Sequence, residues 1–111
     1  MSHPSIVVDS FDKGFVVCPT GHIGGAEGES LDKEFDRLLA LKPQVIVVDL
    51  AGTEMLSSAA ISAMVRLNRI TRKGGCKARL AAVPDPIMSL LKSVKLDDYI
   101  PVYASVSEAK R

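Results

Sequence analysis

Two adjacent serines, Ser57 and Ser58, are the residues of this sequence best placed to take part in chemistry. They follow a strand-like run, Val45–Val48, and they open an amphipathic helical pattern that continues to about Lys73. A serine at a helix start usually caps it, because its oxygen accepts a hydrogen bond from a backbone N–H that lacks a partner. A phosphate on such a serine would meet those N–H groups and the positive end of the helix dipole. The position therefore predicts either a cap alone or phosphorylation of Ser58, with Ser57 as the alternative acceptor.

Apolar residues stand on both sides of the serines. Met55 and Leu56 precede them and Ile61 follows, and we interpret these side chains as an exposed docking patch. Phosphorylation adds a charge of about −1.5 to −2 at neutral pH, which disrupts an apolar interface by repulsion and desolvation. The sequence thus suggests a protein-binding surface that a phosphate would switch off.

Catalytic and metal chemistry find little support in the sequence. Neither serine lies in a Gly-x-Ser-x-Gly elbow, and His22 is the one histidine that could serve as a base, so no enzyme activity is predicted. His3 and His22 have no further ligand close in sequence, so we expect no metal site and no cofactor. The glycine-rich segment Gly21–Gly28 lacks the Lys-Ser/Thr ending of a P-loop. We interpret it as a flexible loop, with a nucleotide or small-anion site as the alternative.

Composition limits the choice of partners and compartment. The 111 residues include 14 Lys and Arg against 13 Asp and Glu, so no basic excess points to nucleic acid. The longest apolar run, Val45–Val48, is too short to cross a membrane, and the stretch Met1–Pro4 does not resemble a signal peptide. Cys18 and Cys76 are interpreted as buried free thiols. A cytoplasmic protein is expected.

A basic stripe follows the second helical pattern. Arg66, Arg69, Arg72 and Lys73 recur every three to four residues, opposite the apolar positions. Such a stripe is either a solvated face or a surface complementary to an acidic partner, and both readings stay open.

The periodic segments alternate along the chain and predict one α/β domain over residues 1–111. Strands are expected at Ser5–Ser10, Phe15–Thr20, Val45–Val48, Lys77–Val83 and Ile100–Tyr103, and helices at Ser30–Leu41, Ser57–Lys73, from Asp85 onward and after Ser105. The first two strands form an antiparallel hairpin. Later strands alternate with helices, which requires parallel crossovers. We expect a mixed sheet covered by about four helices.

The stretch Val45–Ile61 resembles the hallmark segment of STAS domains in anti-sigma factor antagonists. In that family a strand ending in Asp-Leu is followed by Asp-Ser-Ser/Thr-Gly-Leu at a helix start. Here Ser58 takes the place of the phosphoacceptor and Ser57 that of the aspartate, while Ala59 and Ala60 replace the second hydroxyl residue and the glycine. The resemblance covers nearly the whole chain, including the leading strand pair, the glycine segment and Leu96–Tyr103.

The resemblance implies a regulatory protein-binding module without cofactor. Its partner would be an anti-sigma factor with a histidine-kinase-like serine kinase, which the chain sequesters until Ser58 is phosphorylated. The implied contact residues are Ile23, Gly24, Met55, Leu56, Ser57, Ser58, Ala59, Ile61 and Ser62. Ser57 in place of aspartate leaves a second hypothesis, an unphosphorylated scaffold subunit of a stress-signalling or lipid-transport complex. Homo-oligomer formation is left open.

Overall fold

A computed structural model describes residues 4–111, which form a six-stranded sheet and four helices. The strands are β1 (Ser5–Phe11), β2 (Gly14–Ile23), β3 (Val45–Asp49), β4 (Thr53–Leu56), β5 (Lys77–Ala81) and β6 (Val102–Tyr103). The helices are α1 (Gly25–Leu39), α2 (Ser58–Lys73), α3 (Asp85–Ser93) and α4 (Val106–Ala109), with a short 3-10 turn at Leu96–Asp98. Every predicted strand and helix is present in this part of the chain and in the predicted order, and β4 is an additional strand that was not predicted.

The sheet is mixed, as the sequence predicts. β1 and β2 form the antiparallel hairpin, and β2, β3, β5 and β6 follow one another in parallel. β4 is not part of this strand order and pairs in parallel with the end of β2. The chain therefore combines a hairpin start with crossovers, the architecture expected of the resemblance.

β3 is the central strand, and its side chains serve two cores. Ile46 and Val48 point into the main core, where they meet helices α1 and α2. Val45 and Val47 point to the opposite face, where Ala109 of α4 helps to cover them. Because side chains alternate along a strand, an uninterrupted β-branched run is what a strand covered on both faces requires.

The glycine-rich segment differs from its prediction as a flexible loop. β2 continues through Gly21 to Ile23, and α1 already begins at Gly25 instead of near Ser30. The helix start is stabilised because the Gly24 N–H donates to the Glu27 carboxylate over 3.0 Å. No open glycine loop remains to cradle a nucleotide or an anion, so the structural basis of that alternative is absent.

β4 is missing from the predicted strands, because the sequence predicts no element between Val48 and Ser57. Its four residues do not alternate in burial, since Thr53 and Leu56 are buried while Glu54 and Met55 are exposed. The strand exists because it pairs with the end of β2, a partner about thirty residues away in sequence. A pattern this short carries no signal of its own.

Helices α1 and α2 cross at very short distance where Gly28 faces the first turn of α2. A Cβ atom added at Gly28 would lie 2.6 Å from the Ala60 nitrogen and 2.8 Å from the Ala59 Cβ. Further along, Arg66 of α2 pairs with Asp32 at 3.0 Å and with Asp36 at 2.8 Å, both on α1. Arg66 therefore joins the two helices, although 42% of its side chain remains exposed to solvent.

Cys18 on β2 lies half-buried beside the carboxylate of Asp49, and its sulfur donates to Oδ2 over 3.5 Å. The other oxygen, Oδ1, accepts the Ala51 N–H at 3.1 Å. Desolvation by burial, followed by the charge of Asp49 and its hydrogen bond, raises the pKa of Cys18 to about 11. Both cysteines are free thiols as predicted, but both are half-buried and thus less buried than predicted.

Replacing Gly28 by alanine is expected to destabilise the fold by about 1–3 kcal/mol, because the new methyl group would overlap the backbone of α2. Gly25→Ala is the matched control, since a Cβ there has nothing within 4 Å in the same helix. Urea denaturation of the two variants measures the difference. Equal stability of both would contradict the close crossing.

The raised pKa of Cys18 predicts a loss of stability at alkaline pH. The folded pKa of about 11 exceeds the ordinary thiol value of 9.0, so the contribution is complete below about pH 9 and lost as the pH rises through about 11. The difference in free energy of unfolding between Cys18→Ala and wild type should change over this window. Parallel stability curves for the two proteins would disprove the effect.

Candidate functional site

Ser57 caps α2 and fastens it to the end of β2. Its hydroxyl oxygen accepts the Ala60 N–H at 3.2 Å, and the same hydroxyl donates to the Gly24 carbonyl at 2.8 Å. Its own N–H donates to the Ile23 carbonyl, also at 2.8 Å. The hydroxyl of Ser57 is thus used both as donor and as acceptor within the fold.

Ser58 is the first residue of α2, and its side chain is exposed. Within residues 4–111 its hydroxyl has no hydrogen-bond partner, and the first turn of α2 contains no acidic side chain. The positive end of the helix dipole is therefore not compensated by a carboxylate of the helix itself. Of the two serines, Ser58 has the geometry of an acceptor and Ser57 that of a cap.

The apolar residues expected around the serines divide between surface and core. Met55 has 51% of its area exposed, whereas Leu56 is buried and Ile61 is half-buried. Ile23 is also buried and pairs with Leu56 in the register of β2 and β4. The predicted exposed patch is wrong for Leu56, and the side chain of Ile23 is likewise out of reach of a partner, because both belong to the core.

The other predicted contact residues lie close to the surface at the α1–α2 crossing. Gly24 and Ala59 are half-buried, while Ser62 is exposed. Ser62 follows Ser58 by four residues, so the two serines share one face of α2. Gly24 contributes through its backbone, which caps α1 and accepts the hydrogen bond from Ser57.

Sequence reasoning missed the part of this surface that α1 supplies. A shallow depression of about 330 Å³ lies between the helices and is lined by Gly28, Glu29, Asp32, Lys33, Ala59, Ser62, Ala63 and Arg66. Exposed His22 pairs with exposed Met55 in the register of β2 and β4. The sequence offered no signal for the α1 part of this surface, because Gly28 was assigned to the loop Gly21–Gly28 and only the structure places it inside α1.

The described residues contain neither a candidate metal cluster nor a membrane-spanning helix. No group of three or more His, Cys, Asp or Glu side chains within residues 4–111 could hold a metal ion. His3, which the sequence argument on metals included, and most of the stretch Met1–Pro4 lie outside those residues. None of the described helices has the length and hydropathy needed to span a bilayer.

Comparison with known families gives one match, to the family model described as the STAS domain, which aligns with residues 5–109. No curated protein sequence matches the chain.

Solved structures share the fold at low sequence identity. An anti-sigma factor antagonist from Mycobacterium paratuberculosis is 20% identical, with a TM-score of 0.86 over 97% of this chain and 92% of that one. Unphosphorylated SpoIIAA, an anti-sigma factor antagonist, is 10% identical with a TM-score of 0.84, over 96% and 93% of the chains. Its phosphorylated form, from Bacillus, is also 10% identical, with a TM-score of 0.78 over 96% of each chain. A sulfate transporter family protein from Wolinella succinogenes is 14% identical, with a TM-score of 0.73 over 85% of this chain and 79% of that one. At such identities the likeness concerns the fold alone.

The two serines should respond differently to truncation. Ser57→Ala removes a helix cap and its bond to Gly24, so the free energy of unfolding should fall by about 0.5–2 kcal/mol. Ser58→Ala removes no hydrogen bond seen within residues 4–111 and should change stability by less than about 0.5 kcal/mol. Chemical denaturation of both variants tests this, and a reversed order of stabilities would refute the assignment of the cap.

Proposed function

The chain belongs to the STAS domain family, and we propose that within it the chain acts as an anti-sigma factor antagonist switched by phosphorylation of Ser58. In the unmodified state it would bind and sequester an anti-sigma factor, and the phosphorylated state would release it. The observation that carries the proposal is the different use of the two serines. Ser57 is held inside the fold by hydrogen bonds, whereas Ser58 presents an unengaged hydroxyl on the surface.

A phosphate at Ser58 suits the folded domain. It would lie at the start of a sixteen-residue helix, where the backbone N–H groups and the dipole favour negative charge. Since the first turn of α2 has no acidic side chain, no carboxylate of that turn would repel it. Modification is therefore expected to leave the fold intact and to act on the interface.

The effect on a partner follows from the surroundings of Ser58. Exposed Met55 lies three residues before it and exposed Ser62 four residues after it. A partner that covers these side chains would also exclude water from Ser58. A charge of about −1.5 to −2 placed there is costly to desolvate, so binding and phosphorylation oppose each other.

The anti-sigma factor would itself be the kinase, of the histidine-kinase-like type, and would supply ATP and magnesium. The chain then needs no cofactor and no catalytic group of its own. We further propose that residues 1–111 form one STAS domain, which the family match over residues 5–109 supports, and that the protein works in the cytoplasm.

A second candidate function is that of an unphosphorylated scaffold subunit in a stress-signalling or lipid-transport complex. It is favoured by Ser57, which caps α2 but, unlike an aspartate at that position, brings no carboxylate to the contact. The fold also occurs in a sulfate transporter family protein, so it is not confined to antagonists.

Binding of a kinase-type anti-sigma factor to Ser58→Ala and Ser58→Asp distinguishes the two functions. The antagonist model predicts unchanged affinity for Ser58→Ala and an increase in Kd of about tenfold or more for Ser58→Asp. Ser89→Asp is the matched control, because it adds the same charge at an exposed serine of α3. Incubation with Mg-ATP and mass spectrometry should locate the phosphate on Ser58 and leave Ser58→Ala unmodified.

Equal binding by all these variants, together with no phosphate on wild type, would reject the switch and favour the scaffold. Thermal unfolding of Ser58→Asp provides the necessary check on folding. Its Tm should match that of wild type, because an acidic residue in the first turn of a helix is stabilising or neutral.

A further inference from the structure

A groove of about 610 Å³ lies at the opposite end of α2 from Ser58. It separates the last turns of that helix from the segment that follows α3, and its lining is Val65, Asn68, Arg69, Arg72, Lys73, Val94, Leu96 and Tyr99. We propose that this groove docks an acidic segment of a partner protein that carries an apolar anchor side chain. The site is a second contact surface, separate from the one around Ser58 and independent of its phosphorylation.

The groove is lined by positively charged side chains that a partner can reach. Arg69, Arg72 and Lys73 are exposed, and within residues 4–111 none of them forms a salt bridge. Arg66, the first cation of the same stripe, is by contrast held by two aspartates of α1. The stripe therefore divides into one cation that is paired with carboxylates of the fold and three that have no salt-bridge partner among residues 4–111.

The facing segment provides an apolar floor. Val94 is 46% exposed and Tyr99 is 58% exposed, and both are among the five large hydrophobic side chains that the described residues leave most open. The guanidinium of Arg72 lies 5.8 Å from the centre of the Tyr99 ring, and this cation–π contact orients the Arg72 side chain across the groove. An aliphatic or aromatic side chain placed between Val94 and Tyr99 would remove this apolar area from water.

A protein segment fits these features better than a lipid surface or a nucleic acid. The apolar side chains line a groove together with the cations of α2, so one segment of chain laid along the groove can contact both. The chain has a net charge of only +1, and Tyr99 is the sole aromatic ring of the lining, which offers little for base stacking. Carboxylates flanking an apolar side chain are the complement of three cations around an apolar floor. Asp97 and Asp98 lie on the turn that precedes Tyr99, but they are not part of the lining.

The distance along α2 separates this site from Ser58. Arg69 and Arg72 follow Ser58 by eleven and fourteen residues in one continuous helix, which corresponds to about 16 and 21 Å at 1.5 Å per residue. Charges in solution are largely screened beyond about 8 Å at physiological ionic strength. A phosphate at Ser58 should therefore leave binding in the groove unchanged.

The test is an NMR titration of the full-length ¹⁵N-labelled chain with a synthetic peptide in which pairs of glutamates alternate with phenylalanine and leucine. A second peptide has glutamine at every glutamate position. The acidic peptide should shift the amide signals of Asn68, Val94 and Tyr99 and bind more weakly as salt is added. Combined Arg69→Glu and Arg72→Glu should raise its Kd about tenfold or more, and Ser58→Asp should change it by less than about twofold.

Combined Lys33→Glu and Lys42→Glu is the matched control, because it makes the same change in net charge at exposed lysines outside the groove. Equal loss of affinity in this control, equal binding of the glutamine peptide, or the absence of shifts in the groove would each overturn the proposal. So would loss of peptide binding in Ser58→Asp. Shifts in the groove with phosphatidylserine vesicles but not with the acidic peptide would identify a membrane surface instead. None of these outcomes depends on the anti-sigma factor, so the groove and the Ser58 switch can fail separately.

Discussion

The hydroxyl of Ser57 joins two helix starts that are far apart in sequence. It accepts a hydrogen bond from Ala60 in α2 and donates one to Gly24, the residue that precedes α1. Gly24 in turn gives its N–H to the carboxylate of Glu27. The beginnings of both helices are therefore fixed against the end of β2 by one connected set of hydrogen bonds. The position of Ser58 follows from this set, because Ser58 is the first residue of the helix that Ser57 caps.

The same arrangement requires small residues where the helices cross. Gly28 of α1 lies against Ala59 and Ala60 of α2, and there is no room for a Cβ at position 28. Glycine inside a helix costs about 1 kcal/mol relative to alanine, and the close approach is what offsets that cost here.

Local periodicity predicted the hairpin, the central strand β3 and helix α2, because each is long or strongly patterned. It failed for Gly21–Gly28 and for β4, whose structure depends on pairing with residues about thirty positions away. Missing β4 also made the prediction for the candidate site wrong at Leu56. Once Thr53–Leu56 is a strand paired with β2, Leu56 must face the core and only Met55 of that pair remains exposed.

The ion pairs of the basic stripe were likewise not predictable from local sequence. Four cations at helical spacing look equivalent in the sequence, yet Arg66 alone meets Asp32 and Asp36 when α1 packs beside α2. That pairing could not be read from either helix separately, because it depends on how closely they approach.

Helix α2 thus carries two surfaces of different chemistry at its two ends. At the first, the helix dipole and free N–H groups favour an added negative charge, so the fold can accept a phosphate while an interface cannot. At the second, three arginine and lysine side chains surround an apolar floor. A rigid helix holds the two surfaces at a fixed separation greater than the screening length in physiological salt. In the proposed switch, a charge introduced at Ser58 would therefore act on contacts made there and would leave the proposed groove contact unaffected.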